Sequence, residues 1–384
     1  MASASAEAMP AAPGAQPGPY RVMVVDDSVV VRGLITRALE ADSEIEIVAS
    51  VGNGQQAVAA ALRQKVEVAV LDIEMPVMDG MTALGKLLEL DAGLKVIMAS
   101  TLTKRNADIS MQALAAGAAD YVAKPSATRE LVGADLFKRE LLAKVKALGA
   151  ARRGGEGRVS ARATRPGGPA ASGAAPRHHG APIALRAPGI MRPEVLAIAR
   201  STGGPQALMA VLGELAGRVN LPILVTQHMP PTFTTILAEH LSRHAKRPCR
   251  EAVDGEPVLP GRIYIAPGDY HMLVERGARE RVIRLDHGPA VNFCRPAADP
   301  MLRSLAEAYG GRVLAMVLTG MGQDGVRGAQ AVIAAGGTLI AQDEATSVVW
   351  GMPGAVAQAG LCAAVLPVRE IAAYAQRVML GAVG

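Results

Sequence analysis

Cysteine is scarce in this chain: its 384 residues include three, Cys249, Cys294 and Cys362. They stand far apart with no C-x-x-C spacing, which argues against a disulfide framework and against a cysteine-based zinc site. Long apolar runs are missing too. No stretch approaches the roughly eighteen apolar residues of a membrane-crossing helix. The first twenty residues, Met1 to Tyr20, are rich in Ala, Pro, Gly and Ser. They carry neither a basic n-region nor an apolar h-region, so they read as a disordered leader and not as a secretory signal. A reducing, cytoplasmic setting without direct membrane insertion fits these absences.

Half of the residues are hydrophobic and a fifth are charged, the balance of a globular chain long enough for two domains with separate cores. The net charge of +5 is local. Between Lys138 and Arg192, twelve Lys and Arg face two Glu, a surplus of ten, so the remainder is net acidic by about five. The basic excess belongs to a linker and the helix leading into it. With no helix-turn-helix and no basic recognition face elsewhere, nucleic acid is not an expected partner.

From Arg21 onward, short apolar runs alternate with helical patterns. The runs are Arg21 to Val25, Ile45 to Val51, Val66 to Leu71, Leu94 to Ala99 and Asp120 to Ala123; the helices start near Ser28, Gly54, Gly80, Arg105 and Leu136. This alternation predicts an α/β fold with a doubly wound parallel sheet, whose working crevice lies beyond the carboxyl ends of the strands. Asp26 and Asp27 close the first strand, Asp72 the third, Ser100 the fourth and Lys124 the fifth. Three carboxylates gathered at one sheet edge repel one another unless a cation sits among them, and an all-oxygen set suits Mg²⁺. Lys124 and Ser100 are then placed to neutralise and hydrogen-bond a phosphoryl group carried by Asp72.

The motifs Val24-Val25-Asp26-Asp27-Ser28, Leu71-Asp72-Ile73-Glu74-Met75-Pro76 and Tyr121-Val122-Ala123-Lys124-Pro125 resemble the receiver domain of two-component response regulators. The resemblance implies a flavodoxin-like domain over residues 20–148, preceded by the leader at 1–19. It makes Asp72 the phospho-acceptor, Asp26, Asp27 and Asp72 the Mg²⁺ ligands with help from the Glu74 carbonyl, and Ser100, Lys124 and Tyr121 the residues that respond to phosphorylation. A histidine kinase of the chemotaxis type is the implied phosphodonor.

Residues 149–192 change character. Gly, Pro, Ala, Ser and Arg dominate without apolar periodicity, so the stretch reads as a flexible linker. A second alternating region occupies 193–384, with strands expected at Glu194 to Ala199, Pro222 to Thr226, Arg262 to Ala266, Arg281 to Leu285, Arg312 to Leu318 and Gly337 to Ala341. A hairpin-like insertion interrupts it around Tyr264 to Leu285. The expectation is a second doubly wound α/β domain.

Its first strand runs into Ser201-Thr202-Gly203-Gly204-Pro205, a tight strand-to-helix turn. Such a turn lifts a serine hydroxyl toward backbone N–H groups, as a nucleophile facing an oxyanion requires. It equally suits a phosphate-binding turn or a helix cap. Among seven histidines, His228 alone follows an apolar strand and so stands at the same sheet edge as Ser201; His271 and His287 are weaker candidates on the insertion. Asp324, at the end of the glycine-rich loop after Leu318, is the matching acid, with helix capping as its ordinary role.

Ser201 to Pro205, Gln227 to Pro231, Leu318 to Gly325 and Gly351-Met352-Pro353 together resemble the catalytic domain of chemotaxis-type protein-glutamate methylesterases. The resemblance implies a serine esterase with nucleophile Ser201, base His228, orienting acid Asp324 and oxyanion donors at Met321 and Thr202, and no cofactor for the ester reaction. It further implies methylated chemoreceptors as substrate, receptor glutamine deamidation as a second activity, and a monomer. Two positions depart from the family pattern: Arg200 stands where a small residue usually precedes the serine, and Cys294 where a histidine is frequent. An exposed Arg200 is expected to draw in an acidic receptor helix. The rival to an enzyme is a docking module whose altered serine turn is silent.

Overall fold

The computed structural model describes residues 18–124, 132–163, 183–215 and 217–382. The first sheet contains β1 (Tyr20–Val25), β2 (Ile45–Val51), β3 (Val68–Asp72), β4 (Lys95–Ser100) and β5 (Asp120–Ala123), interleaved with α1 (Val29–Glu40), α2 (Gly54–Arg63), α3 (Gly80–Leu90), α4 (Lys104–Ala115) and α5 (Val132–Ala163). All its pairings are parallel, in the order β2-β1-β3-β4-β5. The strand order reverses between β1 and β3, which opens a crevice at their carboxyl ends. Asp26, Asp27 and Asp72 stand there. Alternate side chains of the apolar runs are buried on opposite faces, Met23, Val25 and Leu71 on one and Val22, Val24 and Val70 on the other, so helices cover the sheet on both sides.

The second unit runs β6 (Val195–Arg200), α6 (Gly204–Leu215), β7 (Ile223–Gln227), α7 (Phe233–Ala245), β8 (Cys249–Glu251), β9 (Ile263–Ile265), β10 (His271–Arg276), β11 (Arg281–Asp286), α8 (Ala298–Tyr309), β12 (Val313–Val317), α9 (Val326–Ala334), β13 (Thr338–Gln342), α10 (Met352–Gln358), β14 (Ala364–Leu366) and α11 (Val368–Leu380). Seven of these strands form one parallel sheet, β14-β13-β12-β6-β7-β9-β8. The centre of that sheet, β12-β6-β7, brings together the segments that carry Ser201, His228 and the 318–325 loop. The apolar run at Arg281 to Leu285 is not a strand of this sheet. It pairs antiparallel with β10 in a separate hairpin. β8 and β14, three residues each, are too short to leave a pattern in the sequence.

The expected linker at 149–192 begins inside a helix. α5 continues past Leu148 to Ala163, held by Arg152, which donates to Asp91 at 2.6 Å, and Arg153, which donates to Glu67 at 2.6 Å. At the other end, the Arg186 N–H donates to the Cys362 carbonyl and the Gly189 N–H to Thr338 Oγ1, so residues 183–192 run against the second sheet. The leader at 1–17 and the stretch 164–182 lie outside the described residues. Among the described residues no helix is long and apolar enough to cross a membrane.

The two units pack against each other, with β5 and α4 facing α6 and α7. Tyr121 of β5 stacks on Phe233 of α7, ring centres 4.4 Å apart and 9° from parallel. Thr202 Oγ1 donates to Asp120 Oδ2 at 2.7 Å, and His240 Nε2 lies 2.7 Å from Asp108 Oδ1. The Gln206 amide reaches the Leu114 and Ala118 carbonyls at the end of α4. Met321 and Val348 add apolar contact with the second core face of the first unit. Stacked aromatics of this kind contribute about 0.5–1.5 kcal/mol beyond their buried area.

Candidate active site

Two constellations stand at two sheet edges. In the first, carboxylate oxygens of Asp26, Asp27 and Asp72 lie within 4.8 Å of one another. Lys124 Nζ sits 2.7 Å from Asp26 Oδ2 and 2.6 Å from Asp72 Oδ1. The Ile73 N–H donates to Asp72 at 2.7 Å, while Asp26 accepts from the Ser28 N–H, which starts α1. Burial raises the Asp72 carboxyl above its ordinary range, and the neighbouring Asp26 charge adds to this, against the pull of Lys124. Three carboxylates with one lysine leave negative charge uncompensated, and an oxygen-only donor set fits a hard divalent cation. Gly80 permits the tight return of the chain beneath Asp72: a Cβ there would stand 2.0 Å from the Asp72 carbonyl oxygen.

Ser100 is buried, with its hydroxyl 3.2 Å from Ser110 Oγ of α4. Tyr121 is also buried, with its ring beneath the Lys144 ammonium at 5.0 Å, and burial pushes its phenol well above the ordinary value. Both residues therefore connect the Asp72 crevice to the face that meets the second unit. Glu74 is exposed, and its side chain pairs loosely with Arg105 at 3.8 Å.

In the second constellation, β6 carries Ser201 to the sheet edge, where its N–H donates to the Thr319 carbonyl at 3.1 Å. The turn is crowded enough to explain its glycines. Gly203 has φ +72°, and a Cβ there would meet Val348 at 2.4 Å. The backbone N–H groups of Thr202 and Met321 bond to no other described residue. His228 follows β7, with its own N–H on the Arg200 carbonyl, and Gln227 bridges the Ser201 and His228 carbonyls. Its Nε2 lies 2.8 Å from Asp324 Oδ2.

Asp324 caps a helix, but not the one that follows it. Its Oδ2 accepts from the Ala298 N–H at 2.5 Å and its Oδ1 from the Asp299 N–H at 3.2 Å, both at the start of α8, and from Gly325 at 3.0 Å. Asn292 Nδ2 donates to the same carboxylate at 2.9 Å. Burial alone would raise this carboxyl. His228, the Ala298 N–H and Asn292 outweigh it and hold Asp324 below its ordinary value, as a carboxylate at a helix start should be. Burial would likewise pull the His228 imidazole down, but Cys294 and Asp324 on its two sides raise it above its ordinary value, so the imidazolium is stabilised once the ring has taken a proton.

With Nε2 facing an ionised carboxylate, Nδ1 is the ring nitrogen of His228 left for another partner. It points at Cys294 Sγ, 3.4 Å away, and the Ser201 hydroxyl makes no hydrogen bond to any described residue. His271 and His287 stand apart: His271 lies between the Pro289 carbonyl and the Ala297 N–H, and His287 pairs with Asp269 at the surface. Arg200 corrects the expectation of an exposed cation beside the serine. Its side chain is fully buried, with Nη1 2.3 Å from where a Gly204 Cβ would stand, and its guanidinium nitrogens have no hydrogen-bond partner among the described residues. Strand alternation turned it under α6.

Sequence reasoning did not find Asn292, the partners Asp120, Phe233 and Asp108, or that the helix Asp324 caps is α8. Asn292 reaches Asp324 only because it and Phe293 both have positive φ, 52° and 63°, which no local motif announces. Asp120, Phe233 and Asp108 act across the contact between units, where sequence separation hides pairing, and the Asp324 cap spans 25 and 26 residues within the second.

A carboxylate crescent on one parallel sheet and a Ser/His/Asp grouping on another define a receiver domain joined to a hydrolase domain. Residues 22–134 match the response regulator receiver domain, and residues 196–375 match the family described as CheB methylesterase. The protein-glutamate methylesterase/protein-glutamine glutaminase of Azospirillum brasilense is 61% identical over 366 residues, 94% of this chain and 92% of that relative. A protein of the same description from Paramagnetospirillum magneticum is 59% identical, covering 92% of this chain and 94% of the relative. The crystal structure of the Thermotoga maritima CheB methylesterase catalytic domain is 40% identical and covers 50% of this chain and 100% of that one, with a TM-score of 0.47. The chain belongs to the family of protein-glutamate methylesterases/protein-glutamine glutaminases.

Proposed function

We propose that this protein is a phosphorylation-activated serine esterase that hydrolyses glutamate methyl esters on chemoreceptors and deamidates receptor glutamines, in the adaptation arm of chemotaxis signalling. The observation that carries this reading is His228, held through Nε2 by an ionised Asp324 at the end of β7, the strand paired with the β6 that leads into Ser201. Ser201 Oγ attacks the ester carbonyl while His228 Nδ1 takes its proton. The free N–H groups of Met321 and Thr202 face the developing oxyanion. His228 then returns the proton to the leaving methoxide, methanol departs, and water, activated by the same nitrogen, releases glutamate. An amide substrate gives ammonia by the same steps.

Residues 20–148 act as the receiver and 193–384 as the catalytic domain. A chemotaxis-type histidine kinase supplies the phosphoryl group to Asp72, and the site lies in the cytoplasm, where receptor methylation sites are. Mg²⁺ is the cation that suits Asp26, Asp27 and Asp72; when bound, it offsets the charge of the arriving phosphoryl group. Lys124 gives its ammonium to the same oxygens. The direct test is methanol release from methylated receptor with and without a small phosphodonor such as acetyl phosphate. No release under either condition would leave only the docking-module reading.

Two further outcomes follow. Asp72→Asn should abolish phosphoryl uptake and the stimulation by phosphodonor while leaving basal methanol release unchanged; label from acetyl phosphate in the variant would remove Asp72 as the acceptor. The contacts of Asp120 with Thr202 and of Tyr121 with Phe233 hold the receiver against the turn that carries Ser201. A chain beginning at residue 183 should therefore show basal activity raised on the order of tenfold and no response to phosphodonor, because one or two kcal/mol of docking is that factor in an equilibrium. Equal basal rates for the two chains would rule out occlusion.

A further inference from the structure

His228 Nδ1, the nitrogen turned away from Asp324, lies 3.4 Å from a thiol, and the three cysteines differ in a way that bears on this. Cys249 and Cys362 are buried, and burial pushes both thiols up to about 12. Cys294 is partly exposed and touches a base. It closes a four-residue turn in which the backbones of Val291 and Cys294 exchange hydrogen bonds of 3.1 and 2.9 Å. Asn292 and Phe293 at the tip of the turn are exposed, Phe293 by 92%, so small solutes reach this side of the site.

Asp324 Oδ2, His228 Nε2, His228 Nδ1 and Cys294 Sγ thus form a chain of contacts of 2.8 and 3.4 Å. An acid that orients a base, which in turn touches a nucleophile, is the arrangement that activates a thiol as readily as a hydroxyl. We propose that Cys294 is an oxidation site, a thiol that shares His228 with Ser201 and silences the esterase when a hydroperoxide converts it to a sulfenic acid. The thiol chemistry stands on this geometry, while the silencing rests on the function proposed above.

The step balances. The sulfur attacks one oxygen of the peroxide, the S–O bond forms and the O–O bond breaks. The sulfur is oxidised by two electrons, and the peroxide is reduced to an alcohol, or to water for hydrogen peroxide. The thiol proton passes to His228 Nδ1 and from there to the departing oxygen. The added oxygen then lies against Nδ1, and the Ser201 proton has no acceptor. Because Cys249 and Cys362 are buried away from the turn, the chain has no resolving cysteine. Reversal falls to an external thiol: two equivalents form their own disulfide, break the S–O bond and release water.

The test uses the full chain treated with hydrogen peroxide, with a dimedone-type probe for sulfenic acid and peptide mass spectrometry, alongside methanol release. Label is expected on Cys294 and not on Cys249 or Cys362. It should form on the order of tenfold or more slowly in His228→Gln, in line with the removal of a general base. Methanol release should fall on the same time course and return with dithiothreitol, and in Cys294→Ser the treated and untreated rates should be equal whatever their absolute value. Equal labelling in folded His228→Gln, or label spread over all three cysteines, overturns the thiol array. Label on Cys294 with methanol release undiminished, or peroxide inactivation that persists in Cys294→Ser, overturns the silencing. A chain with no esterase activity at all would instead refute the function, and the labelling result would still decide the thiol chemistry.

Discussion

Ser201→Ala should lower methanol release from methylated receptor by about three orders of magnitude or more, the loss usual for a residue that forms the covalent intermediate. The fold should not follow. The Ser201 side chain holds no hydrogen bond to a described residue, and the turn is kept by backbone contacts: the Ser201 N–H on Thr319, the Gly204 N–H on the Ser201 carbonyl, and the close approach of Gly320. The smaller side chain meets nothing new. Thermal unfolding and phosphoryl uptake at Asp72 should therefore match the parent chain, since Asp72 belongs to the other sheet. An active Ser201→Ala chain would remove the serine as nucleophile.

Asp324→Ala should cost as much in catalysis, about 10³–10⁴-fold, because His228 loses the group that sets its tautomer. Unlike Ser201→Ala, it should also destabilise the protein by about 2–4 kcal/mol, since it strands the Ala298, Asp299 and Gly325 N–H groups and leaves the Asn292 amide with Asp299 alone. Asp324→Asn separates the two effects by keeping an acceptor for α8 while losing the charge. The pH dependence carries the same signature. The folded Asp324 carboxyl lies below its ordinary 3.8, so its contribution is present above that value and is lost as pH falls through the folded value. His228 runs the other way: raised above its ordinary 6.5 by Cys294 and Asp324, it stabilises fully below 6.5 and loses that contribution as pH rises through its folded value. Acid unfolding followed by circular dichroism should shift to higher pH in Asp324→Ala only if the cap contributes to folding. An unchanged acid midpoint would confine Asp324 to catalysis.

Most strands and helices were legible because each parallel strand is an apolar run ending in a polar residue, and the alternation of runs with helical patterns sets the sheet type. The candidate residues were legible for the same reason: Asp26, Asp72, Lys124, Ser201 and His228 each end or follow such a run. What escaped were features of three-dimensional contact. Asp324 reads locally as the cap of α9, whereas its oxygens are spent on α8, 25 and 26 residues earlier in the chain. Arg200 reads as a surface cation because arginine is rarely buried without a partner; the alternation of β6 turned it inward. His240 reads as one polar position among several on α7, and its partner Asp108 is 132 residues away. The helix that extends α5 to Ala163 was hidden by glycines and arginines that suggest a linker, because its ion pairs with Asp91 and Glu67 lie far off in sequence.

β5 is four residues long, and its position gives the regulatory problem an unusually short length scale. Asp120 and Tyr121 at its start touch the Ser201 turn and Phe233, and Lys124, immediately after its end, grips Asp26 and Asp72. Four residues of extended chain span about 13 Å, so the covalent distance between the charge that changes and the contact that must open is that of one strand. Parallel pairing to β4 fixes the register of this strand, and its buried residues resist a slip. The phosphoryl site and the contact with the Ser201 turn are therefore the two ends of one short element held rigid by its neighbour.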